Sequence, residues 1–425
     1  MKNSERLVVT FAAVAFGTML LVLPGGAAAT KAKPEEVGLS SERLGRIHDA
    51  IQRHIEAGDF SGAVTLVARK GRVAHLEAQG RLDLNANTPM PTDAIFRIAS
   101  MTKPIAAAAI LMLLEEGKVG LGDPVSRFIP EFKALKVAVP VEQGTGQAAA
   151  RPAEPQFYIV PASREITVRD LLTHTSGLVS GGISATEAAK NPRKPTDTLA
   201  TYLPQLASVP LAFQPGSRWT YSPGAGFDTV GRIVEVISGQ TFDQFLRQRI
   251  FEPLGMKDTF FNVPDDRKPR RATMYERTAE GLKAPANRNP PPAVTTYFSG
   301  GGGLSSTAED YLQFGQMLLG RGQLNGKRLL GPRTVELMAA VHVPDTLAGR
   351  PPGRAFGLGV QVVSNAVAAG YRVSDGSFGW DGAFGTHFWV DPRDQIVGIL
   401  MVQTSNPNRQ ADRDFENAIM QAIVE

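Results

Sequence analysis

One serine and one lysine in this chain are spaced so that their side chains can share a proton. Ser100 and Lys103 are three residues apart, and residues at this spacing on a helix lie on the same face. A serine becomes a good nucleophile only when a neighbouring base accepts its proton. A lysine can be that base when burial lowers its pKa. The pair therefore predicts acyl transfer at a serine, although by chance the same spacing also gives a helix cap followed by a solvated lysine.

This pair stands at the start of an apolar segment. Residues 104–114 are almost wholly apolar and Gly117 follows as a stop signal, so a helix is predicted here. A helix that is apolar on every face is typical of a protein core. Ser100 is also the only serine with a lysine three positions later. Because lysine is rarely buried without a partner, these facts favour a catalytic pair.

The composition bounds the kinds of site that the chain can build. There is no cysteine among the 425 residues, which excludes disulfides, thiol catalysis and thiolate metal ligands. The six histidines are dispersed, so neither a metal nor a cofactor is predicted. The net charge of +4 is spread along the chain apart from a short basic cluster at 267–271, which favours a solvated loop over a nucleic-acid partner.

The N-terminus has the organisation of a signal peptide. Lys2 and Arg6 precede a long apolar stretch, and small residues follow up to Ala29. This order is typical of a secretory signal, so residues 1–29 are predicted to be removed. An uncleaved membrane anchor is the alternative. We expect a periplasmic or secreted protein of residues 30–425, with no stable membrane insertion after cleavage.

The order of predicted elements indicates an α+β fold. A helix and a β-hairpin open the chain, helices dominate the middle, and strands followed by a helix close it. We predict an antiparallel sheet built from both chain ends and flanked by the terminal helices, with an inserted, mainly helical region. The α/β part spans about 30–125 and 290–425, and the helical part about 126–289. The Ser100 helix would lie where these parts meet, which is a common place for a cleft.

Short motifs predict local structure around this cleft. Thr167 is a predicted helix N-cap, and Ser306 with Glu309 has the spacing of a capping box. The glycine run at 300–303 lacks the following Lys-Ser/Thr of a phosphate loop, so we expect it to form a wall of the cleft. His174 lies in a His-Thr-Ser-Gly block, for which a capped helix end, a structural role, is predicted.

Two further motifs lie downstream of the Ser100 helix: Tyr-Ser-Pro at 221–223 and Trp-Asp-Gly at 380–382. Together with the segment around Ser100, they resemble the three boxes of the class C β-lactamase superfamily, and in particular the family VIII carboxylesterases. The resemblance covers most of the chain after the signal segment. It rests on these blocks in order: FRIASMTKPI around Ser100, ITVRDLLTHTSGL at 166–178, FQPGSRWTYS at 213–222, GRIVEVISGQTFDQF at 231–245, FEPLGMKDT at 251–259, GGGGLSSTAEDY at 301–311 and GWDGAFGTHFWVDP at 379–392.

The resemblance implies a β-lactamase/transpeptidase-like fold and a mechanism without a cofactor, acting on a small-molecule ester or amide. Ser100 would be the nucleophile and Lys103 its basic partner. Tyr221 would relay protons to the leaving group. Whether Lys103 or Tyr221 is the general base stays open at this point, because coupled groups titrate as a unit.

The third box implies the remaining parts of the site. In this group the oxyanion is held by the backbone N–H groups of the nucleophile and of the residue after the box, which here are Ser100 and Ala383. Trp380, Asp381 and Gly382 would bind the substrate from a strand at the edge of the cleft.

Two departures from the family pattern bear on the substrate. The second box has Pro223 where relatives have Asn, so the role of this Asn, holding either the substrate or the lysine, is missing here or supplied elsewhere. The third box has Trp380 and Asp381 in place of Lys-Thr, and in β-lactamases and D,D-peptidases that lysine helps to hold the substrate carboxylate. An anionic substrate would lose a charge partner and meet a negative charge, whereas a neutral ester would not.

The sequence therefore predicts a serine hydrolase that cleaves small esters through an acyl-enzyme intermediate. A β-lactamase or D,D-peptidase, acting on β-lactams or D-Ala peptides, keeps the fold and changes the substrate. A non-catalytic penicillin-binding-like protein is the second alternative, which the lost Asn makes credible. An α/β-hydrolase is excluded because no serine is flanked as Gly-x-Ser-x-Gly. The natural substrate, the acyl-chain length and the oligomeric state are left open.

Overall fold

The computed structural model describes residues 30–141, 156–284 and 294–425. The predicted signal peptide at 1–29 lies outside the described residues, so its removal stays a prediction. Within the described ranges, no helix has both the length and the apolar character needed to cross a membrane.

The described residues form α-helices and β-strands with the following bounds. The helices are α1 (Ser41–Leu44), α2 (Arg46–Glu56), α3 (Thr102–Glu115), α4 (Val168–Leu172), α5 (Gly182–Ala189), α6 (Leu199–Tyr202), α7 (Ala225–Ser238), α8 (Phe242–Leu246), α9 (Glu252–Leu254), α10 (Ala308–Leu319), α11 (Pro332–Ala339), α12 (Ala366–Ala369) and α13 (Gln410–Met420). The strands are β1 (Gly62–Arg69), β2 (Arg72–Asp83), β3 (Thr88–Pro89), β4 (Phe96–Arg97), β5 (Lys136–Pro140), β6 (Phe157–Pro161), β7 (Tyr275–Thr278), β8 (Gly281–Lys283), β9 (Ser305–Ser306), β10 (Gln323–Leu324), β11 (Lys327–Arg328), β12 (Arg354–Phe356), β13 (Gln361–Val363), β14 (Phe378–Asp381), β15 (His387–Asp391), β16 (Ile396–Val402) and β17 (Thr404–Ser405).

The main sheet has eight strands in the order β12-β13-β14-β15-β16-β1-β2-β3, and each neighbouring pair is antiparallel. β1 to β3 come from the start of the chain, whereas β12 to β16 come from its end. β1 pairs with β16 in a register that places Ala63 opposite Val402. The predicted α+β fold, with an antiparallel sheet built from both chain ends, is confirmed. The residue bounds given above for its two parts stay a prediction.

Helices cover both faces of this sheet. α1, α2 and α13 pack on one face around a smaller core that includes Ile47 and Phe415. α3, α7 and α10 contribute to the larger core on the other face, which includes Phe96 and Phe227. All eight residues of β1 are buried. Because both faces are covered, β1 is buried along its length and lacks the alternation of a half-exposed strand.

α3 brings the predicted catalytic pair into the core. Residues 102–113 are all buried, as expected for a helix that is apolar on every face. A single 3-10 turn, Ala99–Met101, precedes the helix and contains Ser100. The chain leaves the helix at Gly117, as predicted, where φ is 68° and the N–H donates to the Leu114 carbonyl. Lys103 is therefore fixed in the first turn of a helix that is buried over residues 102–113.

Thr167 caps α4 as predicted. Its hydroxyl accepts the Asp170 N–H at 3.3 Å, and the Asp170 carboxylate accepts the Thr167 N–H at 2.8 Å. Both open donors at the helix start are thus satisfied. This cap fixes the short helix that leads directly into His174.

The capping box predicted at Ser306 and Glu309 is wrong by one residue. Thr307 caps α10, and its hydroxyl accepts the Asp310 N–H at 3.1 Å. Ser306 cannot take this role because it belongs to β9, which pairs with β4 just before the Ser100 turn. The serine therefore contributes to the strand pair that supports the nucleophile.

Candidate active site

Ser100 lies in a strained turn between β4 and α3. The preceding residue, Ala99, has φ 43°. This left-handed conformation costs a non-glycine residue about 1–2 kcal/mol. The turn is tied to the chain after the glycine run, because the Ile98 N–H donates to the Leu304 carbonyl at 3.0 Å. The strained backbone leaves the Ser100 side chain only partly buried, beside the polar groups described next.

Lys103 is fully buried, and its amine contacts three oxygen atoms. Nζ lies 3.1 Å from Ser100 Oγ, 2.7 Å from the Pro223 carbonyl oxygen and 2.6 Å from the Gly301 carbonyl oxygen. A charged lysine has three N–H donors, and loss of one proton leaves two donors and a lone pair. When the two carbonyls accept both N–H bonds, the lone pair faces Ser100 Oγ. The backbone thus aims the base at the serine hydroxyl.

These contacts identify what supports Lys103 in place of the missing Asn. Pro223 lacks an N–H but keeps its carbonyl oxygen, and that oxygen is the group used here. The second support, Gly301, comes from the glycine run. A Cβ at Gly301 would lie 2.8 Å from the Gly224 Cα, so only glycine allows the chain to approach this closely. The glycine run, for which a wall of the cleft was predicted, therefore contributes a carbonyl that holds the Lys103 amine.

Burial lowers the pKa of Lys103 from its ordinary 10.5 to about 7. The carboxylate of Asp228 partly opposes this shift, because a nearby negative charge favours the charged amine. Asp228 is itself buried and accepts hydrogen bonds from the Tyr297 hydroxyl, the Ser299 hydroxyl and the Gly301 N–H. The lysine is therefore poised between its two charge states near neutral pH, which suits a general base.

Tyr221 contacts Ser100 as a second proton carrier. Its hydroxyl donates to Ser100 Oγ at 2.6 Å, and its ring centre lies 4.9 Å from Lys103 Nζ. Burial raises the pKa of Tyr221 above its ordinary value of 10, so the phenol keeps its proton at neutral pH. Because the pKa of Lys103 is lowered and that of Tyr221 is raised, Lys103 is favoured as the base and Tyr221 as the proton donor.

Ala383 follows β14 where one edge of the strand is open. The pairing between β13 and β14 ends at Gly379, and within the described part of the chain no acceptor contacts the Ala383 N–H. Gly382 packs its backbone against the Ser100 turn, because a Cβ there would lie 2.5 Å from the Ile98 carbonyl oxygen. This close approach places the end of β14, which precedes Ala383, against the turn that contains Ser100.

Trp380 and Asp381 are neighbours on β14, and successive side chains of a strand point to opposite faces. The Trp380 ring lies 5.6 Å from the Tyr221 ring, on the side of the cleft. The Asp381 carboxylate lies 2.6 Å from Nδ1 of His387, which stands directly opposite on β15. The structure therefore brings Trp380 to Tyr221 but turns Asp381 away. The expectation that the Asp381 charge meets the substrate does not fit this placement.

His387 is a neighbour of the site that the sequence analysis missed. Burial opposes its protonation, but the carboxylates of Asp381 and Glu416 outweigh burial and hold the pKa of His387 well above its ordinary value. The imidazolium therefore neutralises Asp381. The two residues are a cross-strand pair on either side of a tight turn, and that turn was visible in the sequence as the Gly-Ala-Phe-Gly segment.

His174 lies at the centre of an aromatic cluster behind Tyr221. Its ring centre is 4.7 Å from that of Tyr221, 5.2 Å from Phe356 and 5.4 Å from Phe227. Nδ1 accepts the Ser222 N–H at 3.2 Å. Burial lowers the pKa of His174 well below its ordinary value, so the ring is neutral. These features agree with the structural role predicted for it.

In the described ranges, one group of side chains has donor atoms close enough to share a metal ion: Asp381, His387 and Asp412, with those atoms within 4.8 Å of one another. The three are already paired with protein groups. His387 bonds Asp381, and Arg409 lies 3.1 Å from Asp412. Because these ion pairs balance the charge of the cluster, we assign no metal to it.

Comparison with known proteins places the chain among serine hydrolases of this architecture. A model of the Beta-lactamase family matches residues 47–422, so the chain belongs to that family. Protein Rv1367c of Mycobacterium tuberculosis (strain ATCC 25618 / H37Rv) is 38% identical over 371 residues, which cover 83% of this chain and 88% of the relative. Esterase EstB of Burkholderia gladioli is 29% identical over 375 residues, covering 81% and 86%.

A solved structure extends the comparison. EstCE1, described as a hydrolase with promiscuous acyltransferase activity, is similar with a TM-score of 0.74 and 28% identity over 89% of this chain and 99% of that chain. The resemblance to family VIII carboxylesterases drawn from the sequence is confirmed. The chain is a serine hydrolase of the β-lactamase fold with esterase relatives.

The low pKa of Lys103 predicts how activity depends on pH. If Lys103 is the base for ester hydrolysis, the reaction needs its neutral amine, and kcat/KM is then expected to fall about tenfold per pH unit below a midpoint near 7. The rate should be measured by titrating the released acid in a pH-stat, because this readout does not depend on the ionisation of a chromophore. A rate that stays constant from about pH 5 to about pH 8 would contradict a neutral lysine base.

Proposed function

We propose that the protein hydrolyses small neutral esters through an acyl-enzyme intermediate on Ser100. The observation that carries this proposal is the set of contacts of the Lys103 amine, which directs its lone pair at Ser100 Oγ. The names of two relatives, Esterase EstB and the hydrolase EstCE1, support the reaction class.

Acylation moves two protons. Lys103 accepts the Ser100 proton while Oγ attacks the ester carbonyl carbon, and the N–H groups of Ser100 and Ala383 stabilise the resulting oxyanion. The carbon–oxygen bond to the leaving group then breaks, and the alkoxide takes the proton of Tyr221. The acyl group is now bound to Ser100, Lys103 is charged, and Tyr221 is a phenolate.

Deacylation returns both groups to their starting state. The Tyr221 phenolate accepts a proton from water as that water attacks the acyl carbonyl carbon. Collapse of the second tetrahedral intermediate frees Ser100 Oγ, which takes the proton held by Lys103. The products are one acid and one alcohol, and the site is ready for another ester.

The preference for a neutral substrate rests on Trp380. This side chain occupies the place where relatives that act on anionic substrates carry a lysine, and it has no charge with which to hold a carboxylate. Asp381 does not contribute to this argument, because its carboxylate faces His387. A β-lactam or a D-Ala peptide would therefore bind without its usual cationic partner.

The test compares three substrates with the purified protein: a short-chain p-nitrophenyl ester, a chromogenic cephalosporin and a D-Ala-D-Ala peptide. Ser100→Ala is measured beside the unaltered protein, and Ser208→Ala serves as a matched control at an exposed serine. We expect ester turnover that Ser100→Ala reduces about 10⁶-fold and Ser208→Ala leaves unchanged. Mass spectrometry should also find an acyl group on Ser100.

Two results would overturn the proposal. Fast cephalosporin or peptide turnover with little ester hydrolysis would make the protein a β-lactamase or a D,D-peptidase. No turnover of any substrate and no adduct on Ser100 would favour a non-catalytic binding protein.

A further inference from the structure

The peptide group between Gly382 and Ala383 connects the cleft with the C-terminal helix. Its N–H belongs to Ala383 and is the expected oxyanion donor. Its carbonyl belongs to Gly382 and accepts a hydrogen bond from Arg409 Nη2 at 2.6 Å. The C=O and N–H of a trans peptide point in opposite directions. Arg409 therefore bonds this peptide from the side opposite to the Ala383 N–H.

The turn that contains this peptide is stabilised by hydrogen bonds within the turn and by one from Arg409. Inside it, the Gly382 N–H donates to the Thr386 carbonyl at 2.7 Å, and the Gly385 N–H donates to the Gly382 carbonyl at 3.1 Å. The bond from Arg409 comes from a separate element, because this residue stands directly before α13. Asp412, one turn further along, fixes the guanidinium with a contact of 3.1 Å to Nη1. The C-terminal helix is thus attached to the oxyanion turn through one charged side chain.

We propose that Arg409 is a positioning residue of the oxyanion hole. It sets the plane of the 382–383 peptide and strengthens the Ala383 N–H as a donor. A cation at the carbonyl polarises the whole amide, since hydrogen bonds in a chain reinforce one another. A donor that is fixed in advance also stabilises developing charge without reorganising. The inference rests on the proposed function in one respect, because it takes the Ala383 N–H to be an oxyanion donor.

Arg409→Met is expected to lower kcat for ester hydrolysis about 10- to 100-fold and to leave KM within about twofold, because the oxyanion exists only after attack on the carbonyl. Arg409→Lys keeps the positive charge but loses the forked guanidinium that reaches both Gly382 and Asp412. Its kcat should therefore lie between those of the unaltered protein and Arg409→Met. Arg413→Met is the matched control. Arg413 is an exposed residue on the same helix, and in the described ranges it makes no hydrogen bond or ion pair.

A second readout does not depend on ester turnover. A p-nitrophenyl alkylphosphonate phosphonylates a nucleophilic serine: Oγ forms a bond to phosphorus, the base takes the hydroxyl proton, and p-nitrophenolate leaves. The phosphoryl oxygen then needs the same donors as the oxyanion. The rate of labelling at Ser100 should therefore fall in Arg409→Met by a factor similar to the fall in kcat, while Arg413→Met stays within about twofold of the unaltered protein.

The outcomes separate this inference from the proposed function. If the unaltered protein is labelled at Ser100 but hydrolyses no ester, the proposed function fails and the labelling rates still decide the role of Arg409. Equal losses in Arg409→Met and Arg413→Met, or a raised KM with unchanged kcat, would overturn the positioning role. Labelling and ester-hydrolysis rates of Arg409→Met within twofold of those of the unaltered protein would overturn it as well. If the unaltered protein is not labelled at Ser100, both the positioning role and the proposed function fail. If Arg409→Met does not fold, slower labelling of Arg409→Lys supports the inference and labelling at the unaltered rate refutes it.

Discussion

Replacing Lys103 with methionine is expected to lower kcat for ester hydrolysis about 10³-fold, because under the proposed mechanism the site loses the base that accepts the Ser100 proton. Methionine fills a similar volume in the buried first turn of α3, so the loss reports on chemistry rather than on packing. Tyr221 cannot replace the lysine, since burial raises the pKa of its phenol and keeps it protonated. The residual rate should also lose the acid limb near pH 7 that the lysine imposes.

The same substitution predicts a distinctive change in stability. The folded pKa of Lys103, about 7, lies below its ordinary 10.5, so between these pH values the unfolded chain binds one more proton than the folded chain. The stability of the unaltered protein should therefore rise with pH by about 1.4 kcal/mol per unit over that range, from this group alone. Lys103→Met lacks this contribution. The unaltered protein is therefore expected to gain stability relative to Lys103→Met as pH rises.

Urea unfolding at several pH values, with kcat measured in parallel, tests both expectations. Lys118→Met is the control, because Lys118 is an exposed lysine whose amine contacts Glu116 at 2.8 Å. A Lys103→Met variant that keeps near-normal kcat would refute the mechanism. An unfolding free-energy difference that does not change with pH would refute the lowered pKa.

Gly382→Ala is expected to lower kcat/KM about 10²-fold and to destabilise the protein by about 1–3 kcal/mol. A Cβ at this position would lie 2.0 Å from Thr386 Oγ1 and 2.5 Å from the Ile98 carbonyl oxygen. The threonine side chain can rotate, but the Ile98 carbonyl belongs to the turn before Ser100. The added methyl group must therefore push the oxyanion peptide and the nucleophile apart.

The matched control for this prediction is Gly122→Ala. A Cβ at Gly122 meets no atom within 4 Å, and the backbone there does not adopt the left-handed conformation. Activity and thermal unfolding of this variant should stay close to those of the unaltered protein. If Gly382→Ala retains full kcat/KM, the close approach of β14 to the Ser100 turn is not needed for catalysis.

The sequence predicted the parts of the site that depend on residue type and spacing. Ser100 and Lys103 carry a hydroxyl and an amine one helical turn apart, and the apolar run after them already indicated that the lysine is buried. Because burial lowers the pKa of a lysine, the same pattern made Lys103 a candidate base, although it left open whether Lys103 or Tyr221 takes the serine proton. The sheet was predictable for a similar reason, because strand patterns at both chain ends required partners.

The groups that hold Lys103 could not be predicted from residue types. Pro223 and Gly301 act through backbone carbonyls, which every residue possesses, so neither position has a recognisable side-chain signature. The loss of the usual Asn suggested a weakened site, yet the chain replaces that support without an amide. Only the path of the backbone reveals this replacement.

The direction of the Asp381 side chain, unlike the roles of Pro223 and Gly301, could have been predicted from the sequence. Its neighbour Trp380 faces the cleft, and side chains alternate along a strand, so Asp381 had to face the other way. The partner on that face, His387, follows after a tight turn and was visible as the cross-strand position. The position of the α10 cap at Thr307 rather than Ser306 could not be predicted in this way. It depends on the pairing of β9 with β4, which joins segments far apart in the chain.

The main sheet can close only after the ribosome has released β16, because β1 needs that strand as its neighbour. Ser100 and Lys103 are synthesised early, whereas the Ala383 amide arrives near the end of translation. Pairing between segments so distant in sequence is slow, since loop-closure entropy is lost before the contacts form. Under the proposed mechanism, a truncated chain that stops before β14 would thus contain a nucleophile and a base but lack one of the two oxyanion donors. We expect such a chain to be inactive, and activity to appear only once the C-terminal strands have joined the sheet.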